Sequence, residues 1–404
     1  MGGDGALTAS PEFELIAACC RWPTDPGAIQ HAFTSAIDRR RLVRLARRHR
    51  VAGLVHRGIG AAALPIPPAL ANERHRLVAR NLLLIDEAAR LSGLLTASGL
   101  PHLFLKGAAL GQLAYGDQTI KQTLDNDLLI SLVDVPAALG LLNSAGYELS
   151  SPPGPMDSNR LPVLIDMVKE CTLVHADNHA VVDLHWRAVS IKGLVAEPDL
   201  ARDVRHVTVA GHALPTLREE QLMVYLAVHG ARHGWARLKW LADFNAILAA
   251  MDDQAIAALR VRARRDGVQR AMDLALFQVA RIFGVRVPAD VGRSRRVRWL
   301  VALSDSLMRG RDELAGQADA PWRYMLIGHA SALLLKTTPR YLANVAWSSW
   351  VSTADALALP LPRAARPLYL LTSPAARIGR AARRIVDRGF SRTAQGPMRA
   401  RQEK

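Results

Sequence analysis

The sequence predicts an α+β fold, a small mixed sheet flanked by N- and C-terminal helical segments, and two observations carry that reading. Apolar residues recur at helical spacing through the first hundred residues and again beyond about residue 211. Between 101 and 190 they fall instead into short runs and alternations bounded by Gly, Asn and Asp, the pattern of strands and turns.

The first helical stretch opens at "SPEFELIAACCRW", where Ser10 and Pro11 suit a cap and a first turn. "RRRLVRLARRHRVAGLVHRGI" keeps leucine and valine at helical spacing, and residues 78–100 form an amphipathic helix that stops at Ser98 and Gly99. The period then changes. "PHLFLKG" (101–107) reads as a strand ending in glycine, "AALGQLAYG" (108–116) as a helix, and "NDLLI" (126–130) as a second strand. A helix closed by Gly146 and a third strand follow, and then a β-hairpin, "CTLVHADNHAVVDLHW", with "ADNH" as its turn. Thr216 and Glu219 have capping-box spacing for the next helix. The expected division is a helical lead at 1–100, a mixed α/β unit at 101–210, a helical segment at 211–285, and a helical region at 286–404 ending in a basic, partly disordered tail.

Composition narrows the function classes. The chain has 404 residues and a formal charge of +16. Residues 363–404 supply eleven basic and two acidic side chains, so the tail dominates the imbalance; it suits either a solvated end or a polyanion such as RNA. Cys19, Cys20 and Cys171 offer no disulfide framework and no CxxC pair, and no secretory signal or 20-residue apolar span is readable. A soluble, cytoplasmic protein is expected. Phosphate-loop, nucleophile-elbow and dinucleotide motifs are absent from the sequence.

The chemistry concentrates in "TLDNDLLI". On an extended backbone Asp125 and Asp127 point the same way, and two such anions need a cation between them, for which a hard divalent ion is efficient. Alone, the pair also fits a solvated turn opening a strand. Two neighbours strengthen the metal reading. Lys106 and Gly107 end a strand and start a helix, whose N-terminal amides suit phosphates, and Asp183 and His185 share one face of a later strand.

The ordered motifs "LKG", "LAYGD", "DNDLLI" and "VVDLHW" resemble the bacterial nucleotidyltransferase-like family within the DNA polymerase β-type nucleotidyltransferase superfamily. The likeness extends over about residues 10–285. It implies that Asp125, Asp127 and Asp183 are catalytic and bind two Mg²⁺ ions. It also implies that Lys106, Gly107, Ala108, Lys121 and His185 contact the nucleoside triphosphate. The reaction implied is transfer of a nucleoside monophosphate to an acceptor hydroxyl or phosphate of a peptide, sugar or other small molecule, in natural-product or envelope biosynthesis. Three positions depart from the pattern: Ala108 replaces a Gly or Ser at the phosphate turn, Lys121 stands where arginine is usual, and Asn126 separates the aspartates in place of an apolar residue. Two other readings remain open, a non-catalytic nucleotide, peptide or RNA binder that keeps the fold, and a toxin that modifies tRNA or protein.

Further candidates are weaker. His229 and His233, four apart on one helix face, suit packing against the catalytic unit or approach to the nucleotide better than metal binding. His185 also suits stacking beside Trp186. Trp235, Leu238, Trp240 and Leu241 read as a core stripe, Asp243 as the partner of an arginine, and Cys171 as buried and inert.

Overall fold

The computed structural model describes residues 10–309 and 321–374; most of the expected basic tail lies outside them. Five helices lead: α1 (Pro11–Cys20), α2 (Pro26–Ala32), α3 (Arg39–Arg48), α4 (Ala52–Ala61) and α5 (Pro68–Ala97). The Ser10 hydroxyl caps α1 as expected. The continuous helical spacing after Arg39 conceals a break. Asp38 caps α3, whose end turns through Arg50 at φ 56° before α4 begins.

The mixed unit comprises β1 (His102–Phe104), α6 (Gly107–Tyr115), β2 (Asn126–Ile130), α7 (Val135–Ser144), β3 (Tyr147–Ser151), α8 (Arg160–Met167), β4 (Glu170–His175) and β5 (Val181–His185). Then come β6 (Val204–Val209) and β7 (His212–Leu217), which join the same sheet in the order β3-β4-β5-β2-β1-β7-β6. The β2–β5 and β1–β7 pairs are parallel and the other neighbours antiparallel.

The expected capping box at Thr216 is corrected by this sheet. Thr216 belongs to β7, where its hydroxyl donates to the Phe104 carbonyl at 2.7 Å, and the next helix, α9 (Glu219–Arg232), starts with Arg218 as its cap residue. A strand that must pair with β1 outweighs a local capping pattern.

Period-two alternation sends side chains into two cores. Leu103, Leu105 and Leu129 join a helical core with α1, α9, α10 (Leu238–Leu248), α11 (Asp253–Arg265) and α12 (Gln269–Phe283). Phe104, Leu128, Ile130, Val182 and Leu184 face the opposite core with α5, α7 and α8. Both faces of β2 are therefore covered, which is why its sequence is a continuous apolar run. Each fully buried leucine contributes about 1.5–3 kcal/mol.

Beyond α12 lie the helices Arg295–Arg309, Pro321–Leu335, Pro339–Trp350 and Thr353–Ala358, and Val351 and Leu357 pack into the second core. Among the described residues no helix is long and apolar enough to cross a membrane.

Candidate active site

The site begins at the β1–α6 turn. The Leu105 amide donates to the Asp127 carbonyl at 3.0 Å, which holds the end of β1 against β2 and delivers Lys106 beside the Asp127 side chain. The Lys106 Nζ lies 2.7 Å from Asp127 Oδ1. Gly107 then takes φ 66°, a conformation only glycine adopts without strain, and α6 begins with no side chain capping its first amides. Those amides and the helix dipole favour an anion.

β2 and β5 run parallel with Asp127 opposite Asp183 and Leu129 opposite His185. Ligand atoms of Asp127, Asp183 and His185 lie within 4.8 Å of one another. Asp125, two residues before Asp127, shares the cavity with both carboxylates. The hairpin register completes the group: Thr172 pairs with Asp183 and Glu170 with His185. The Thr172 hydroxyl donates to Asp183 Oδ1 at 2.7 Å.

His185 is fully buried behind the carboxylates, and Trp186 after it packs into the opposite core. Its Nδ1 lies 3.3 Å from the Lys169 ammonium, which can only donate, so Nε2 carries the hydrogen. That Nε2 lies 3.2 Å from Asp127 Oδ1 and 3.0 Å from Glu170 Oε2. His185 thus steers Asp127 from within, and it is Asp127 that reaches the cavity.

These contacts divide the carboxylates electrostatically. Burial would raise Asp127, but Lys106 and His185 hold it well below the usual carboxylate range. Burial likewise opposes the charged form of Glu170, yet His185 and Lys169 bring it down to about 2. Asp125 is pushed up by burial and then by the charge of Asp127. Asp183 is also raised, by burial against the Thr172 hydrogen bond, with the charges of Asp125, Glu170 and Asp127 adding to it. A surplus of negative charge persists where the carboxylates converge, and oxygen donors in that state suit a hard divalent cation.

The carboxylates line a cavity of about 790 Å³. Lys106, Arg160, Glu170, His229 and His233 share its wall, and Ser348, Thr353 and Leu357 reach it from the C-terminal helices. The His229 and His233 rings lie 4.6 Å apart, and His233 stacks on Trp240 at 5.1 Å, so this expected pair forms an aromatic wall.

Other expected residues lie elsewhere. Lys121 is buried, 3.4 Å from Asp243, whose other carboxylate oxygen accepts from the Tyr115 hydroxyl at 3.0 Å. Asp243 therefore pairs with a lysine and a tyrosine in place of the expected arginine. Gly107 and Ala108 are buried in the first turn of α6, and Lys106 alone of the three lines the cavity. Asn126 is buried too, but satisfied: its amide donates to the Leu84 carbonyl of α5 at 3.1 Å. Trp235 leaves the expected helical stripe for the α9–α10 turn at φ 48°, where its ring sits against Gly230. Cys171 is buried, as expected.

Glu170, Lys169 and Thr172 were absent from the expected site. The hairpin turn carried the missing information, because once "ADNH" is the turn, antiparallel pairing sets Thr172 against Asp183 and Glu170 against His185.

No curated protein matches the chain. It is similar to the crystal structure of an antigenic nucleotidyltransferase-like protein from Paracoccidioides brasiliensis, with 12% sequence identity and a TM-score of 0.29 over 52% of this chain and 97% of that one. Residues 35–284, more than half of the chain, match a family described as uncharacterised nucleotidyltransferase, and the chain belongs to that nucleotidyltransferase family.

Proposed function

We propose that the protein is a metal-dependent nucleotidyltransferase that moves a nucleoside monophosphate from a nucleoside triphosphate to the hydroxyl or phosphate of a peptide, sugar or other small molecule. One observation carries this reading above the others: Asp127 and Asp183 face each other in register on parallel strands, with Asp125 beside them, at a cavity that begins next to the uncapped end of α6. The three carboxylates fit Mg²⁺ as oxygen donors, and their surplus charge supports a site for up to two ions.

Bound there, Mg²⁺ would supply charge neutralisation for the attacking and leaving oxygens. The protein groups have separate tasks. The Lys106 ammonium receives the β and γ phosphates, and the N-terminal dipole of α6 behind it adds a favourable potential. Asp127, kept ionised by Lys106 and His185, holds its orientation. Asp183, with its raised proton affinity, orients the acceptor hydroxyl and takes its proton. A bond forms between the acceptor oxygen and the α-phosphorus, the bond from that phosphorus to the β-phosphate oxygen breaks, and pyrophosphate leaves.

Lys121 supports the nucleotide site indirectly, by anchoring the segment before β2 through Asp243. The three cysteines are free and buried, in keeping with a cytoplasmic location.

The test is incubation of the full chain with α-labelled ATP, GTP, CTP and UTP, Mg²⁺ and cell extract, followed by mass spectrometry of labelled products. A Mg²⁺-dependent nucleotide adduct with matching pyrophosphate release is expected. Metal-independent triphosphate binding with no pyrophosphate would leave a binding protein in its place.

A further inference from the structure

Beside the carboxylate cavity lies a second one of about 350 Å³, and Met167, Ser190, Ser348 and Thr353 line both. Its charge is lopsided. Lys192, Arg363 and Arg366 line it with a single carboxylate, Asp166. Arg366 makes a close ion pair with Asp166, and the Lys192 Nζ stands 3.7 Å from the same side chain. Among the described residues no carboxylate lies within ion-pair distance of the exposed Arg363.

A further cation underlies this wall. Arg187 is buried and spends its guanidinium on main-chain oxygens at the end of α8, 2.9 Å from the Ile165 carbonyl and 3.3 Å from that of Asp166. Arg187 fixes the α8 end that carries Asp166, and its own charge is met by Glu197, outside this cavity. Three lining cations therefore share one anion, which leaves room for another.

We propose that this second cavity is the acceptor subsite, and that it takes a hydroxyl-bearing acceptor with an anionic group, a phosphate monoester or a carboxylate, held by Lys192 and Arg363. The assignment rests on the nucleotidyltransferase reading of the adjoining site. In-line displacement requires the acceptor to approach the α-phosphorus opposite the leaving pyrophosphate. The triphosphate already has its receptor in Lys106 at the start of α6, so a separate cationic chamber reached through the shared residues suits the other substrate. Trp347 supplies an apolar wall for the body of that acceptor. Asn344, Trp347, Arg363 and Arg366 lie outside residues 35–284, so the segment shaping this chamber is not part of the matched family region.

Equilibrium binding to the full chain tests this without needing turnover. Calorimetric titrations with glycerol 3-phosphate, glycerate and neutral glycerol separate a phosphate from a carboxylate preference. At least one of the anions should bind more tightly than glycerol. The double variant Lys192→Met, Arg363→Gln should weaken that anion tenfold or more while leaving the affinity for a Mg²⁺–nucleoside triphosphate within twofold. Arg366 remains to pair with Asp166 in that variant, and a second, Arg363→Glu, changes only an exposed position; it should weaken the anion in the same way. Anions binding no better than glycerol, or binding equally to wild type and variants, would overturn the proposal. So would a parallel loss of triphosphate affinity, which would assign the cations to the donor. Failure of wild type to bind any triphosphate strikes at the nucleotidyltransferase reading instead, a result the anion titration does not mimic.

Discussion

Two lysine–aspartate pairs lie near the start of β2, and they differ in their surroundings. Lys106 and Asp127 touch at 2.7 Å with side chains 15% and 7% exposed, beside Asp125, Asp183 and Glu170, and open to a cavity. Lys121 and Asp243 stand 3.4 Å apart, each 4% exposed, with the Tyr115 hydroxyl completing the carboxylate. The sealed pair ties the β2 approach to α10. The open pair leaves carboxylates unmatched by cations, which is costly for folding and suits a divalent cation. The difference shows that residue type is a poor guide to role, and that uncompensated charge at an accessible surface is a better one.

Substitution at Asp183 should separate activity from stability most strongly. Asp183→Asn removes a charge that its neighbours resist, and asparagine still accepts from Thr172, so the melting temperature should hold or rise while pyrophosphate release falls about 10³-fold. A variant that loses stability and activity together would make Asp183 structural. The sealed pair should behave in the opposite way. Asp243→Ala strands a buried ammonium and should cost about 3–5 kcal/mol in denaturant unfolding. Lys121→Met with Asp243→Leu should recover much of that loss. Full recovery of turnover by this double variant would also show that Lys121 makes no essential nucleotide contact.

Asn126 sharpens the boundary between the two regions. Asn126→Leu removes the side-chain donor to the Leu84 carbonyl, which sits inside α5 and keeps its helical amide, and a loss of about 0.5–1.5 kcal/mol with near-normal turnover per folded molecule is expected. Near neutral pH the smallest effect concerns His49, which joins the sealed region by accepting the Leu238 amide at 3.2 Å. Burial lowers its proton affinity to about 3. The unfolded chain therefore binds a proton below about pH 6.5 that the folded chain refuses until about pH 3. His49 should make stability fall by up to about 1.4 kcal/mol per pH unit across that window and contribute no slope above it. His49→Asn should flatten that part of the stability profile.

Much of this is legible in the sequence. The β2 and β5 strands announce themselves because both their faces are covered, and Lys106, Gly107, Asp125, Asp127 and Asp183 form an ordered motif in which local chemistry and fold agree. β6 and β7 were missed because their turn, Ala210 and Gly211, takes φ 49° and 85° without the asparagine or aspartate that usually marks such a hairpin. α8 was missed because Pro162 and only eight residues leave little helical period to read. The partnership of Lys121 with Asp243 spans 122 positions, and the cavity wall at Ser348 and Thr353 is more distant still from the carboxylates. Neither has a local pattern, because both arise only when helices far apart in sequence pack on the sheet.

Mn²⁺ binding followed by electron paramagnetic resonance tests the proposed divalent-cation site of the β2 and β5 carboxylates with no substrate required. Wild type should bind Mn²⁺ in competition with Mg²⁺, Asp183→Asn should bind it at least tenfold more weakly, and Asp243→Ala, measured on folded protein, should bind as wild type does. Equal Mn²⁺ affinity in wild type and Asp183→Asn would contradict the account.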